Sequence, residues 1–330
     1  MAKITLIRGS ELFEFEGAAH ESVLDQAIAR GIPASYSCRR GDCGQCAAKL
    51  IAGTIECVDA TRPLSTGEEV LLCNARAEGD ASLRIPHFPE LGSIQVKRAP
   101  CKIHALRLLA SDVMEVTLRL PPMAGFQALP GQFIRIWNPW QVARSYSLSC
   151  APDPTGLLRI HVRRVEGGQF SQYWFSQAKP GDLLRIEGPH GRFFLRERQV
   201  SRVTLFLATG TGIAPINAIL EGMNKESLQR LGAVALYWGN RYRCDEYWAE
   251  HLTELCLRQG IRYLPIYSRE SAVPGVARYV QDAVADEYTS LEDAVAFACG
   301  SSRMIVAAKE RLVRLGLHPE NFVADAFTAS

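Results

Sequence analysis

Apolar and polar residues alternate over 3–8 and again over 11–16, on either side of Gly9-Ser10, which predicts a β-hairpin. Ser22 followed by Asp25 makes a capping box for a helix ending near Gly31. The periodicity lapses over 85–100, where Pro86, Pro89 and Pro100 predict a stiffened linker. Short alternating stretches resume at 102–110, 114–120, 132–138, 145–150, 157–164 and 182–187, separated by turn residues, which predicts an antiparallel β-barrel. From residue 202 the pattern changes again. Apolar strand-like runs at 202–208, 232–238, 262–267, 294–299 and 321–324 alternate with helical stretches, among them 245–258, 276–285 and 302–314, which predicts an α/β doubly wound parallel sheet. The chain is therefore expected to be multidomain, with domains over 1–92, 101–198 and 199–330 and a linker over 93–100.

Composition changes this picture little. Hydrophobic residues make up 47% of the 330 and charged residues 22%, values ordinary for a globular enzyme, and a net charge of +2 gives no reason to expect nucleic acid or a membrane as partner. The charge is unevenly spread: residues 1–92 carry 9 Lys and Arg against 13 Asp and Glu, the remainder 28 against 22, an offset that permits docking within the chain or to a partner. The opening residues read as a strand rather than a signal peptide and no apolar run approaches a membrane span, so a cytoplasmic location is expected.

In a reducing compartment, clustered cysteines point to metal and dispersed ones to core thiols. Of the ten cysteines, three stand in Cys38-Arg-Arg-Gly-Asp-Cys43-Gly-Gln-Cys46, and a fourth, Cys73, follows at a distance. C-x4-C-x2-C with one distant cysteine is the ligand pattern of a plant-type [2Fe–2S] cluster. One loop must wrap the cluster so that three side chains converge while backbone N–H groups face its sulfides, and Gly41 and Gly44 supply the positive φ such a loop needs. Structural zinc would call for a second C-x2-C or a His pair, and none follows. Cys57 lies outside the pattern and reads as a packed or surface thiol. The first domain is thus expected to be a β-grasp-like ferredoxin domain.

Two motifs mark the barrel. Arg144-Ser-Tyr-Ser-Leu148 sits on a strand, so Arg144 and Tyr146 share a face and offer a cation to a diphosphate and an aromatic surface to a planar ring. Gly167-Gly-Gln-Phe-Ser171 precedes a helical stretch ending near Pro180, an arrangement that exposes N–H groups to a pyrophosphate. In the last third, Thr209-Gly-Thr-Gly-Ile-Ala-Pro215 joins a strand to a helix, again a phosphate-binding arrangement, although not G-x-G-x-x-G. At the carboxyl ends of later strands lie Trp238-Gly-Asn-Arg241 and Cys299-Gly-Ser301. With Gly188-Pro-His-Gly191, these motifs resemble the ferredoxin–NADP reductase superfamily. The resemblance implies an FAD-binding barrel with Tyr146 stacked on the isoalloxazine, Ser147 near its N5, and Arg144, Gly168 and Ser171 around the diphosphate, with Val162 and Gly167 among the cofactor-binding residues. It likewise implies a nicotinamide site formed by Gly210, Thr211, Gly212, Cys299 and Gly300, in which Cys299 and Ser147 are the catalytic candidates and Phe327 places an aromatic by the flavin. Ser302 stands where the superfamily usually has proline.

The donor is NADH or NADPH. Ser268-Arg269 resembles the serine–arginine pair that receives a 2′-phosphate in NADPH-using plant-type reductases, and Tyr279 falls near their tyrosine, but Ala277 replaces the lysine. A hydride donor and a one-electron cluster need a flavin between them, so the expected function is an NAD(P)H-dependent reductase passing electrons through FAD and [2Fe–2S] to a protein acceptor. Over its whole length, in Pro89-Glu-Leu-Gly-Ser-Ile-Gln95, Leu118-Arg-Leu-Pro-Pro122, Leu184-Arg-Ile-Glu-Gly-Pro189 and Phe322-Val-Ala-Asp-Ala-Phe-Thr328, the chain is similar to the CDP-6-deoxy-Δ3,4-glucoseen reductases, a resemblance that implies a CDP-sugar dehydratase as acceptor. Reductase components of bacterial mono- and dioxygenases share the three modules and supply the alternative. Relatives tend to have Trp-x-Gly-x-x-Gly before the 276–285 helix, whereas this chain has Val273-Pro-Gly-Val-Ala-Arg278.

Overall fold

The computed structural model describes every residue except 1, 37–38, 40, 42–43, 59, 61, 93, 152–154, 271–278 and 328–330. The chain divides into two compact units, 1–93 and 94–330.

In the first unit the expected hairpin forms from β1 (Ala2–Arg8) and β2 (Glu11–Gly17), paired from Ala2↔Gly17 to Arg8↔Glu11. Helix α1 (Val23–Ala29) follows, with the Ser22 hydroxyl accepting from Asp25 N–H at 3.0 Å. Strands β3 (Ala47–Gly53), β4 (Glu56–Cys57), β5 (Glu69–Leu71), β6 (Ala75–Arg76) and β7 (Ala81–Arg84) complete it. The main sheet runs β2-β1-β7-β3-β5, with β1 and β7 parallel and the other pairs antiparallel, and β4 pairs with β6 beside it. Ile4, Leu6, Leu50, Val70 and Leu83 turn one face of the sheet onto Val23, Leu24 and Ala27 of α1. One helix packed on a mixed sheet is the β-grasp arrangement expected of this segment.

The second unit opens with the barrel: β8 (Lys97–Ala110), β9 (Val113–Arg119), β10 (Phe133–Trp137), β11 (Ala143–Ser147), β12 (Leu157–Arg163), α2 (Gln169–Ser176) and β13 (Leu183–His190). Strand order is β11-β10-β13-β8-β9-β12, antiparallel throughout, and a bridge from Leu148 to Ile160 joins the first strand to the last. That bridge closes the sheet. Strand β8 begins at Lys97, so Pro100 lies within it. The half of β8 before Lys102 pairs with β13 alone, an edge position where a residue lacking an N–H is tolerated.

The α/β domain follows with β14 (Val203–Thr209), α3 (Ile213–Gly222), α4 (Lys225–Leu231), β15 (Ala233–Asn240), α5 (Ala249–Gln259), β16 (Arg262–Tyr267), α6 (Val280–Glu287), β17 (Ala294–Ser301), α7 (Ser302–Arg314) and β18 (Phe322–Phe327). All five strands are parallel in the order β16-β15-β14-β17-β18, so β14 sits at the point where the chain reverses direction across the sheet. Residues Thr204 to Ala208 are buried in succession, as a strand covered on both faces requires. Helix α5 starts at Ala249 rather than near 245, because Tyr247 and Trp248 are drawn into packing against the barrel. Helix α6 starts at Val280; the earlier residues of its expected span, 276–278, lie outside those described.

Candidate active site

The carboxyl ends of β14 and β17 meet at two glycines. Gly210, Thr211 and Gly212 form a tight turn between β14 and α3, and no side chain caps the start of α3. A Cβ on Gly212 would lie 2.2 Å from Cys299 O, and one on Gly300, whose φ is +145°, would lie 2.1 Å from Thr209 Oγ1. Only glycine lets these two strand ends approach so closely. Trp238 Nε1 donates to Gly210 O at 2.9 Å and fixes the turn from the β15 side. Beyond it, Ser301 caps α7 by accepting from Met304 N–H, and Ser302 takes the first helical position, where the superfamily's proline would be equally at ease.

On the barrel, Arg144 and Tyr146 share one face of β11, with Arg144 Nη1 donating to Ala143 O. Tyr146 is half-buried, its hydroxyl accepting from Trp174 Nε1 at 3.0 Å and its ring 5.8 Å from that of Phe170. Burial pushes the phenol pKa up, opposed by the Trp174 hydrogen bond and by Arg144, so the ring stays neutral. Helix α2 begins inside the glycine motif: Gly167 takes φ +70° and Gly168 is the N-cap, with no side chain supplying the cap bond. The Ser171 hydroxyl bonds within its own loop, to Val165 N, Val165 O and Gly168 O, each at 3.0 Å. Val162 is buried in the barrel core.

The two sets converge on Asp325, a residue to which no motif in the sequence assigns a role. Register in β17 and β18 sets Cys299 opposite Asp325 and Ser301 opposite Phe327. Ser147 Oγ, from the barrel, donates to Asp325 Oδ2 at 3.4 Å, and both residues are buried. Cys299 is fully buried, and burial followed by the charge of Asp325 holds its thiol pKa well above the usual value. Phe327 packs against the core that contains Trp238 and Cys299. A second missed residue is Arg163, which leaves the barrel at the end of β12. Its Nη1 lies 2.9 Å from where a Cβ on Gly210 would stand, and its Nε is 3.2 Å from Asp112 Oδ2. The signal for Arg163 was its place between a strand and the Gly167-Gly168 turn; for Asp325 it was a carboxylate two residues from Phe327 on the same strand face.

At the ends of β15 and β16, Ser268 Oγ donates to Asn240 O and Arg269 N to Arg241 O. Arg241, Arg243 and Arg269 are exposed there. Arg243 N–H donates to the Glu270 carboxylate, and its guanidinium lies over Tyr267 at 5.1 Å. Tyr279 is exposed as the N-cap of α6, whereas Ala277 and the rest of 273–278 lie outside the described residues.

In the first unit, Cys46 and Cys73 are buried with their sulfurs 3.3 Å apart, and Gly41 and Gly44 have φ of +89° and +68°. Two converging thiols beside a glycine-shaped loop fit the donor set of an iron–sulfur cluster. Cys38 and Cys43 lie outside the described residues. Arg39, on the same loop, pairs with Asp25 of α1. Burial would raise the Asp25 pKa, but hydrogen bonds from Ser22 and Arg39 hold it below the usual range. Cys57 is buried, as a packed thiol should be.

Comparison with known proteins follows the same division. Family models match residues 7–78 as a 2Fe-2S iron-sulfur cluster binding domain, 100–195 as an oxidoreductase FAD-binding domain and 206–310 as an oxidoreductase NAD-binding domain. The chain is 38% identical to Protein RfbI of Salmonella typhimurium over 96% of its length and 94% of that protein's. It is 36% identical to the CDP-6-deoxy-L-threo-D-glycero-4-hexulose-3-dehydrase reductase of Yersinia pestis, over 97% of this chain and 96% of the relative. It is 35% identical to terephthalate 1,2-dioxygenase reductase component 1 of a Comamonas species, over 96% and 95%. Among solved structures, the cytochrome P450 reductase GcoB of Amycolatopsis shares the fold with a TM-score of 0.73 at 24% identity, over 100% of this chain and 99% of that one. The chain therefore belongs to the family of iron–sulfur flavoprotein reductases that move electrons from NAD(P)H through FAD to a [2Fe–2S] cluster and on to a protein acceptor.

Proposed function

We propose that this reductase serves a dehydratase acting on a CDP-linked deoxyhexulose, with the hydride-transfer site lying where Ser147, Asp325 and Cys299 meet. That meeting is the observation carrying the catalytic half of the reading. A buried hydroxyl, carboxylate and thiol from two domains converge at the carboxyl end of a parallel sheet, beside a glycine turn. FAD, when bound, exchanges the electron pair of a nicotinamide for the single electrons a cluster accepts. Around it, Tyr146 offers its ring face to the isoalloxazine, while Arg144 and the N–H groups from Gln169 to Ser171, at the start of α2, receive the diphosphate. The Ser171 hydroxyl serves by holding that loop closed. Gly210 to Gly212 and the guanidinium of Arg163 receive the nicotinamide nucleotide's diphosphate, and Cys299, Gly300 and Phe327 border its ring. Cys38, Cys43, Cys46 and Cys73 hold the cluster.

Support for the dehydratase comes from the relative so named, matched end to end at 36% identity, and from the segments Pro89–Gln95 and Phe322–Thr328. The oxygenase reductase matched at 35% makes an oxygenase the alternative. The exposed Arg241, Arg243 and Arg269, with Glu270 engaged by a backbone N–H, favour NADPH as donor. The test pairs the purified holoprotein with a CDP-hexulose dehydrase and, separately, with a terephthalate-type oxygenase, each donor being supplied in turn. Turnover with the dehydrase and NADPH supports the proposal; turnover with the oxygenase alone replaces the acceptor, and faster reduction by NADH replaces the donor.

A further inference from the structure

One buried polar contact between the barrel and the α/β domain lies away from the reacting groups yet connects to both. His161 sits on β12 directly across from Glu115 of β9, and its ring is wholly inaccessible. Glu115 Oε1 is held by Arg107, and Glu115 Oε2 lies 3.8 Å from His161 Nε2. Burial would raise the Glu115 pKa, but His161 and Arg107 hold it below the usual range. Burial also depresses His161, so the pair is a carboxylate beside a neutral imidazole. The imidazole proton then belongs on Nε2, facing the carboxylate. That leaves Nδ1 as an acceptor, and the Tyr247 hydroxyl, just ahead of α5, donates to it at 3.0 Å.

Tyr247 continues the connection. Its ring meets Trp238 edge-on at 5.3 Å, and Trp238 Nε1 bonds the carbonyl of Gly210 in the glycine turn. On the barrel side, Ile160 next to His161 bridges to Leu148, the residue after Ser147. Trp248 packs on His161 at 4.3 Å and stacks on His251 at 4.4 Å. His251 in turn bonds Asn217 of α3, whose amide donates to Ser149 O of the barrel at 2.8 Å. Both routes end at Leu148 or Ser149, the two residues that follow Ser147, and at the glycine turn or the helix it opens. Packing of this kind transmits displacement because buried side chains have few alternative positions.

We propose that the Tyr247–His161 hydrogen bond is a positioning strut that sets the distance between the nicotinamide-binding turn at Gly210 and the flavin-facing strand at Ser147. Neither residue touches the reacting atoms. The assignment rests on the hydride-transfer reading above and adds to it a pair of residues whose loss misplaces the donor without removing a contact to it. Misplacement is costly in a reaction that needs close approach of two rings, whereas binding of the dinucleotide through its diphosphate is not.

The test is anaerobic stopped-flow reduction of bound FAD in the full-length holoprotein, with rates expressed per bound flavin. In Tyr247→Phe the limiting rate at saturating donor is expected to fall about tenfold, with the donor's dissociation constant changed by less than about threefold. His161→Gln, whose amide can still accept from Tyr247, is expected to lose less than Tyr247→Phe. His161→Leu removes the acceptor and also parts His161 from Glu115, so the double variant Tyr247→Phe/His161→Leu is expected to be no slower than His161→Leu alone, since one bond cannot be lost twice. Cytochrome c reduction by dithionite-reduced protein should match the parent in every variant. A limiting rate per bound flavin within about twofold of the parent in both Tyr247→Phe and His161→Leu overturns the strut, as does a double variant whose loss equals the two single losses combined. A parent protein whose flavin bleaches with neither NADH nor NADPH overturns the hydride-transfer reading instead.

Discussion

Asp325 is a buried carboxylate with Ser147 on one side and Cys299 on the other; it accepts from the Ser147 hydroxyl, and its charge adds to the burial that keeps the Cys299 thiol protonated. Asp325→Asn is expected to slow flavin reduction by roughly tenfold or more while FAD content stays at the parent level; stopped-flow rates with either donor check it, and an unchanged rate would remove Asp325 from the site. Its place was hard to read in the sequence because the partner that gives it meaning, Ser147, lies 178 positions away in another domain. Cys299 and Gly300 are singled out in the sequence by the family resemblance of their Cys-Gly pair, and the close approach at Gly300 becomes visible only in the structure. Arg163 was not, since an arginine after a strand is ordinary until Gly210 is seen beside it.

At the scale of elements, the barrel strands and the five parallel strands followed from period and turn residues alone. The departures have packing causes. Helix α4 has seven residues held by an Asn224–Ser227 capping box, too short for a periodic signal, and β8 absorbs Pro100 because that half of the strand has one neighbour. The approach of α3 to β17 makes a sharp demand. Gly212→Ala sets a Cβ 2.2 Å from a backbone oxygen, and the variant is expected to lose roughly 1–3 kcal/mol of stability and to weaken nucleotide binding. Thermal unfolding and donor titration check it, with the cluster's visible spectrum as the unaffected control. The barrel and the α/β domain also carry a pH signature. Burial depresses His161, His190 and His251 below the usual histidine value, against the opposing pull of Glu115, Glu187 and Glu221. As pH drops below about 6.5, the unfolded chain takes up protons that the folded chain refuses, so stability is present above that pH and declines beneath it. The depressed Glu115 and Glu187 act in the same direction at lower pH. The unfolding temperature of the FAD-loaded protein is expected to fall from about pH 7.5 to about pH 5.5; a flat or rising profile would contradict these assignments.

For the whole molecule, three domain types on one chain correspond to one change of electron currency, from a pair to single electrons. Among the described residues no helix is long and apolar enough to cross a membrane. The order of modules was legible because each announces itself by a different period: alternation with a cysteine loop, alternation with glycine turns, and then strand–helix repetition. The acceptor was not, since a docking surface has no spacing. The direction of flow is the central claim, and one measurement reaches it most directly: anaerobic titration of the full-length holoprotein with NAD(P)H, following flavin absorbance and the paramagnetic signal of the reduced cluster, beside Cys73→Ser. In the parent, the donor is expected to bleach the flavin and bring up the cluster signal. In Cys73→Ser, flavin bleaching and ferricyanide reduction persist while cytochrome c reduction collapses. A cluster that stays oxidised in the parent, or cytochrome c reduction that survives in Cys73→Ser, would contradict it.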